Sequence, residues 1–129
     1  MQLAFALLIL LLLFKVFSVF KRSFSATSRV MSAQTVSQVK ELINSKTVFV
    51  ASKTYCPYCS SAKRLLEKAY PDAYILELDT IEDGDDIQAA LQSISGQRTV
   101  PNIYIKGKHI GGNSDLQALG EKKIKELVA

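Results

Sequence analysis

Cys56-Pro57-Tyr58-Cys59 holds both cysteines of the chain. Two thiols three positions apart suit thiol–disulfide exchange. A thiolate attacks a disulfide sulfur, and a second thiol resolves the mixed disulfide that forms. The attacking thiol has to ionise near neutral pH, so its pKa must fall from about 8.5 into the range of about 3.5–7.5. A helix N-terminus achieves this through unpaired N–H groups and the positive end of its dipole. Pro57 suits a first helical turn, Lys53 adds a cation three residues upstream, and Cys59 falls one turn deeper. A structural disulfide across so short a loop would stabilise little. Two inert core cysteines would rarely land together where a strand meets a helix. With 2 cysteines and 1 histidine the chain cannot close a four-ligand Cys/His zinc site. A disulfide-rich scaffold is excluded as well.

The elements around the pair follow from periodicity. Thr35 can cap a helix carrying Val36, Val39, Leu42 and Ile43 at 3.6-type spacing. Thr47–Ala51 is β-rich without polar alternation and reads as a buried strand that delivers the chain to the cysteines. The helix opened by Pro57 should bury Ala62, Leu65, Leu66 and Ala69 and stop at Pro71. Ala73–Leu78 is a second strand. Acidic residues 82–86 suit a solvated helix start, and Ile87, Ala90, Leu91 and Ile94 continue it to Gly96. Asn102–Ile105 is a third strand, Lys106-Gly107-Lys108 a hairpin turn, and His109-Ile110 a short fourth strand broken by Gly111-Gly112. Asn113–Ala129 reads as one or two closing helices. A helix between the first two strands requires a parallel crossover, whereas the last two strands form an antiparallel hairpin. The expected architecture is α/β, a mixed four-stranded sheet flanked by helices. His109 reads as structural or solvent-facing.

Among the 129 residues are 16 Lys and Arg and 12 Asp and Glu. The excess belongs to the first thirty residues, which hold Lys15, Lys21, Arg22 and Arg29 and no acid; the remainder is formally neutral. A basic face for nucleic acid is therefore not indicated. Leu3–Phe14 is an unbroken apolar run, and Val16, Phe17, Val19 and Phe20 extend it past Lys15. A helix over residues 3–20 would be about 27 Å long against a hydrocarbon core of about 30 Å. Residues 1–20 thus read as a signal-anchor or targeting segment and residues 21–33 as a basic, Ser-rich linker; 34–129 is the folded domain. Basic residues after the apolar run keep the domain on the cytosolic side of a membrane, and the acid-free stretch Lys21–Arg29 suits a mitochondrial leader. A cleaved secretory signal is a further reading. Translation from Met31 would give a cytoplasmic form.

Three motifs in order carry a resemblance: Lys53-Thr54-Tyr55-Cys56-Pro57-Tyr58-Cys59, Thr99-Val100-Pro101, and Gly111-Gly112-Asn113-Ser114-Asp115. From about Ser32 to Ala129 the chain resembles the dithiol glutaredoxins of the thioredoxin-fold superfamily, most of all their fungal members. Pro-Tyr between the cysteines and the absence of Trp distinguish it from the thioredoxins. The resemblance implies a thioredoxin-like fold and glutathione as co-substrate, with no metal. It implies that Cys56 bonds the glutathione sulfur, that Tyr58 lines the groove, and that Val100 pairs its backbone with the tripeptide beside a cis Pro101. Lys53 and Gln88 would meet the glycine carboxylate, and Ser114 and Asp115 the γ-glutamyl end.

The expected function is therefore glutathione-dependent reduction of protein–glutathione mixed disulfides and disulfides by a monomer. Cys56 is the expected nucleophile, Cys59 resolves, and a separate NADPH-dependent reductase recycles the glutathione. Two alternatives stay open: an iron–sulfur cluster carrier using Cys56 and glutathione, and a membrane-tethered binding domain with incidental thiols.

Overall fold

The computed structural model describes residues 2–129, with side chains described for residues 3–15 and 33–129. The first helix, α1, runs Gln2–Ser45. By internal contacts the chain divides after Gln34 into two units. Helical backbone passes through Thr35 without a break, so the helix start expected there is absent and residues 21–33 are helical. The side chains of residues 16–20 of the expected anchor and of 21–32 of the expected linker lie outside the described set. In the first unit, Leu3–Phe14 expose their large apolar side chains, from 54% for Ile9 to 89% for Leu3. Among the described residues no helix is long and apolar enough to cross a membrane.

The second unit is built around four strands, β1 (Val48–Ser52), β2 (Tyr74–Glu77), β3 (Asn102–Ile105) and β4 (Lys108–Gly111). Their order in the sheet is β2-β1-β3-β4. The β1/β2 pair is parallel, as the intervening helix α2 (Pro57–Ala69) requires, and the other two pairs are antiparallel. The expected mixed four-stranded sheet is thus present. Strand ends shift by a residue: β1 begins at Val48, although the Thr47 carbonyl still accepts the Lys106 N–H at 2.7 Å.

Alternation along the central strands assigns each helix to a face. Val48, Val50, Ile103 and Ile105 point one way, against Ala62 and Leu66 of α2 and Leu116 and Ile124 of α4 (Asn113–Val128). Phe49, Ala51 and Tyr104 point the other way. They meet Val39 and Ile43 of α1, and Ala90 and Leu91 of α3 (Gly84–Ser95). Both faces of β1 are covered, which is why its sequence shows no polar alternation. The closing helix breaks at Gly120 (φ 76°, ψ 166°), so it is two segments in one span.

Register brings the site together. Ala51 pairs with Asn102, and Ser52 with Glu77. The exit of β1 toward the cysteines, the entry to β3 after Pro101, and the exit of β2 into the 3₁₀ turn Leu78–Thr80 therefore share one end of the sheet. Gly84 seats α3 on that turn. A Cβ there would lie 1.9 Å from the Leu78 carbonyl oxygen, so only glycine permits the approach.

Candidate active site

Cys56 occupies the N-cap of α2 with extended backbone (φ −86°, ψ 119°), and Pro57 follows in the first turn. An N-cap side chain faces the free N–H groups of the second and third helical residues, here Tyr58 and Cys59. As a thiol Cys56 makes no capping hydrogen bond, and its Sγ lies 3.8 Å from the Val100 carbonyl oxygen. A thiolate is the better acceptor at this position. Partial burial pushes the Cys56 thiol up. The Cys59 N–H, the Cys59 thiol, the Tyr58 N–H and the Lys63 ammonium outweigh that and hold it below its ordinary 9.0. Cys59 is fully buried. Burial above all pushes its thiol up, and the charge on Cys56 adds to the effect. The two thiols are separate and differ: Cys56 is partly exposed with its pKa lowered, and Cys59 is buried with its pKa raised.

A cation that sequence reasoning missed acts on the nucleophile: Lys63, two turns into α2, lowers the Cys56 thiol. Lys63 is held by Glu77 at the end of β2, Nζ to Oε1 2.7 Å. A helix opening at Cys56 places a residue seven positions on along the same face, a signal that would have found Lys63.

Beside Cys56 lies a groove of about 470 Å³ lined by Lys53, Tyr55, Cys56, Pro57, Gln88, Arg98, Thr99 and Val100. Of the residues expected in the site it gathers Lys53, Cys56, Gln88 and Val100. Tyr55, Arg98 and Thr99 line it as well. Arg98 adjoins Thr99-Val100-Pro101, and its place next to that motif was the available clue. Tyr58 stands outside this lining, 68% exposed on α2. Pro101 is buried, and its peptide bond to Val100 is cis. Ser114 and Asp115 sit at the start of α4, beyond the groove lining.

Each wall of the groove is tied down. The Thr54 N–H and hydroxyl both donate to the Asp79 carboxylate, the N–H at 3.0 Å. The Gln88 amide donates to the Arg98 carbonyl at 2.7 Å, so one of its N–H groups serves the loop. Asp115 accepts the Gly112 N–H at 3.0 Å, which ends β4 and starts α4. Gly111 has to be glycine there: its φ is +121°, and a Cβ would meet Asp115 Oδ2 at 2.3 Å.

The domain that carries this cysteine at a helix start matches known proteins. The Glutaredoxin family profile matches residues 48–110. Glutaredoxin-1 of Saccharomyces cerevisiae is 53% identical over 103 residues, covering 76% of this chain and 94% of that protein. A crystal structure of mutated buckwheat glutaredoxin superposes with a TM-score of 0.73 at 39% identity, over 78% of this chain and 92% of that one. The buckwheat glutaredoxin–glutathione complex does so with a TM-score of 0.70 at 41% identity, over 75% and 89%. The chain belongs to the glutaredoxin family.

Proposed function

We propose that the chain is a glutathione-dependent thiol–disulfide oxidoreductase with Cys56 as its nucleophile. The lowered Cys56 thiol at the N-cap of α2, beside a buried and protonated Cys59, carries this reading. The Cys56 thiolate attacks the glutathione sulfur of a protein–glutathione disulfide. The sulfur–sulfur bond breaks, the protein thiolate leaves and takes up a proton, and Cys56 carries the glutathionyl group. A second glutathione thiolate attacks that group, releasing oxidised glutathione and restoring the Cys56 thiolate. With a protein disulfide, Cys56 first bonds the protein. Cys59 then loses its proton and displaces it, leaving a Cys56–Cys59 disulfide that two glutathiones reduce.

Glutathione fits the groove by charge and by backbone. Lys53, Arg98 and Gln88 line it, two cations and an amide suited to a carboxylate. Val100, in the groove lining, offers its main chain for pairing with the tripeptide. Tyr58, exposed on α2, covers the bound tripeptide. Ser114 and Asp115 receive the γ-glutamyl ammonium and carboxylate at the start of α4.

The test uses the full chain with a glutathionylated peptide and a protein disulfide, coupled to NADPH consumption through glutathione reductase. Cys56→Ser should lose turnover of both. Cys59→Ser should keep the first substrate and lose the second. Turnover surviving in Cys56→Ser would overturn the assignment of the nucleophile.

We further read the N-terminal segment as the element that addresses the domain to a membrane facing the cytosol or to the mitochondrion. An apolar surface exposed on every side, as at Leu3–Phe14, is one that lipid or a targeting receptor covers. The full chain should sediment with membranes or mitochondria, and a chain begun at Met31 should remain in the supernatant. Equal distribution of the two would reject it.

A further inference from the structure

The only histidine of the chain stands outside the groove and is nonetheless wired to it. His109 is on β4, its ring against that of Tyr104 with centroids 5.0 Å apart. Its Nε2 faces two carbonyl oxygens, Oδ1 of the buried Asn102 at 2.9 Å and Oε1 of Gln97 at 3.1 Å. Two acceptors on one nitrogen require that Nε2 carry the hydrogen. The amide of Gln97 is thereby oriented with its oxygen toward His109 and its nitrogen toward the loop. That nitrogen donates both hydrogens, to the Thr99 carbonyl at 3.1 Å and the Pro101 carbonyl at 2.9 Å. The reversed amide would set an oxygen against two oxygens, so the orientation is self-consistent.

Gln97 thus holds the carbonyls of Thr99 and Pro101 on its own side, while the one between them, that of Val100, lies 3.8 Å from Cys56 Sγ. Neither Gln97 nor His109 lines the groove. We propose that His109 and Gln97 form a relay that sets the main-chain orientation of Val100 and so tunes glutathione affinity, as positioning residues rather than ligands. This rests on the reading of Val100 as the main-chain contact for glutathione. Nε2 bears a hydrogen in the neutral tautomer required here and in the charged ring alike, so the relay works in both protonation states.

The test compares full-length wild type, His109→Phe, Gln97→Leu and the double variant. His109→Phe keeps a ring against Tyr104 and removes the donor. Loss of one hydrogen bond of ordinary strength should raise KM for a glutathionylated peptide about 3- to 10-fold in each single variant. kcat and the pH profile of Cys56 alkylation should stay within about twofold of wild type. The double variant should be no worse than Gln97→Leu alone, because the two residues act in series. KM within twofold of wild type in both single variants overturns the relay, as does a matching change in alkylation, which would place the effect on the thiol. If wild type itself turns over no glutathionylated peptide, the reading of the groove fails instead. The relay is then judged by NMR: amide shifts of Thr99 and Val100 moved by His109→Phe more than that of Lys53 support it, and unmoved shifts overturn it.

Discussion

The two loops that wall the groove are held by different chemistry. The Lys53–Cys56 loop hangs on one charged acceptor: Thr54 donates twice to Asp79, an exposed carboxylate on the 3₁₀ turn after β2. The Arg98–Pro101 loop is held by neutral amides, with Gln88 on the carbonyl of Arg98 and Gln97 on those of Thr99 and Pro101. The first loop carries the side-chain cation Lys53 and leads to the thiol. The second offers main chain. A loop whose product is a backbone orientation needs its carbonyls fixed one by one. A loop that only has to deliver a helix start can hang from a single anchor. The anchored loop should therefore be sensitive to ionisation, and the amide-held loop should not.

The largest way to disturb this balance is at Gly84. Its Cβ position is 1.9 Å from the Leu78 carbonyl oxygen, and the obstacle is backbone. Gly84→Ala has to push α3 from the turn that carries Asp79. A forced overpacking of this kind costs about 1–3 kcal/mol, read as a lower urea midpoint at unchanged slope. Activity should fall with it, since both Asp79 and Gln88 move.

Asp79→Asn is a cleaner break of the first loop alone. The Thr54 hydroxyl first, then the Thr54 N–H, and lastly the charge of Lys53 hold the Asp79 carboxyl below its ordinary 3.8. A carboxyl depressed in the folded state contributes its stabilisation above the unfolded value, and that contribution is lost as pH falls through the folded one. The clamp is thus complete at neutral pH, begins to weaken near pH 3.8 and is lost as pH falls through the lower folded-state value. Asp79→Asn should raise KM about threefold at pH 7 and abolish the acid-range loosening of Thr54 seen by NMR. Thr54→Ala, which keeps the N–H bond, should have about half that effect in free energy.

How much of this was legible from the chain follows from the range of each signal. The strand pattern and the placement of Cys56 before Pro57 are local, and the sheet, its order of elements and the reactive end of α2 follow from them. The long α1 was not legible, because Ser-rich residues 21–33 show no apolar period to mark a helix. The loop restraints were invisible for another reason. Thr54 and Asp79 are 25 residues apart and Gln88 and Arg98 are 10 apart, and nothing in the spacing of either pair marks its members as partners. His109 looked inert because its partners, Gln97 and Asn102, come to it only through the β3/β4 hairpin. Lys53 drew attention by proximity in sequence, whereas Lys63, which also favours the thiolate, is found only by following the helix face.

The two lysines give the smallest and most discriminating test. Lys63 is the weakest of the influences that lower the Cys56 thiol, behind the N–H groups of the helix start, and it is shared with Glu77. Its removal should therefore move the thiol without disturbing either loop. Lys63→Met should shift the alkylation profile of Cys56 toward its ordinary 9.0 and slow alkylation at pH 6.5 by about twofold to threefold. KM for a glutathionylated peptide should change little. Pairing it with Glu77→Gln removes the carboxylate that would otherwise be left partly buried and alone, so a loss of stability in the single variant that the pair restores is separable from the electrostatic effect. Lys53→Met should do the reverse, raising KM while leaving the alkylation profile in place. If Lys53→Met shifts the profile and Lys63→Met does not, the cation that favours the thiolate lies on the anchored loop, and the two loops differ in chemistry as well as in how they are held.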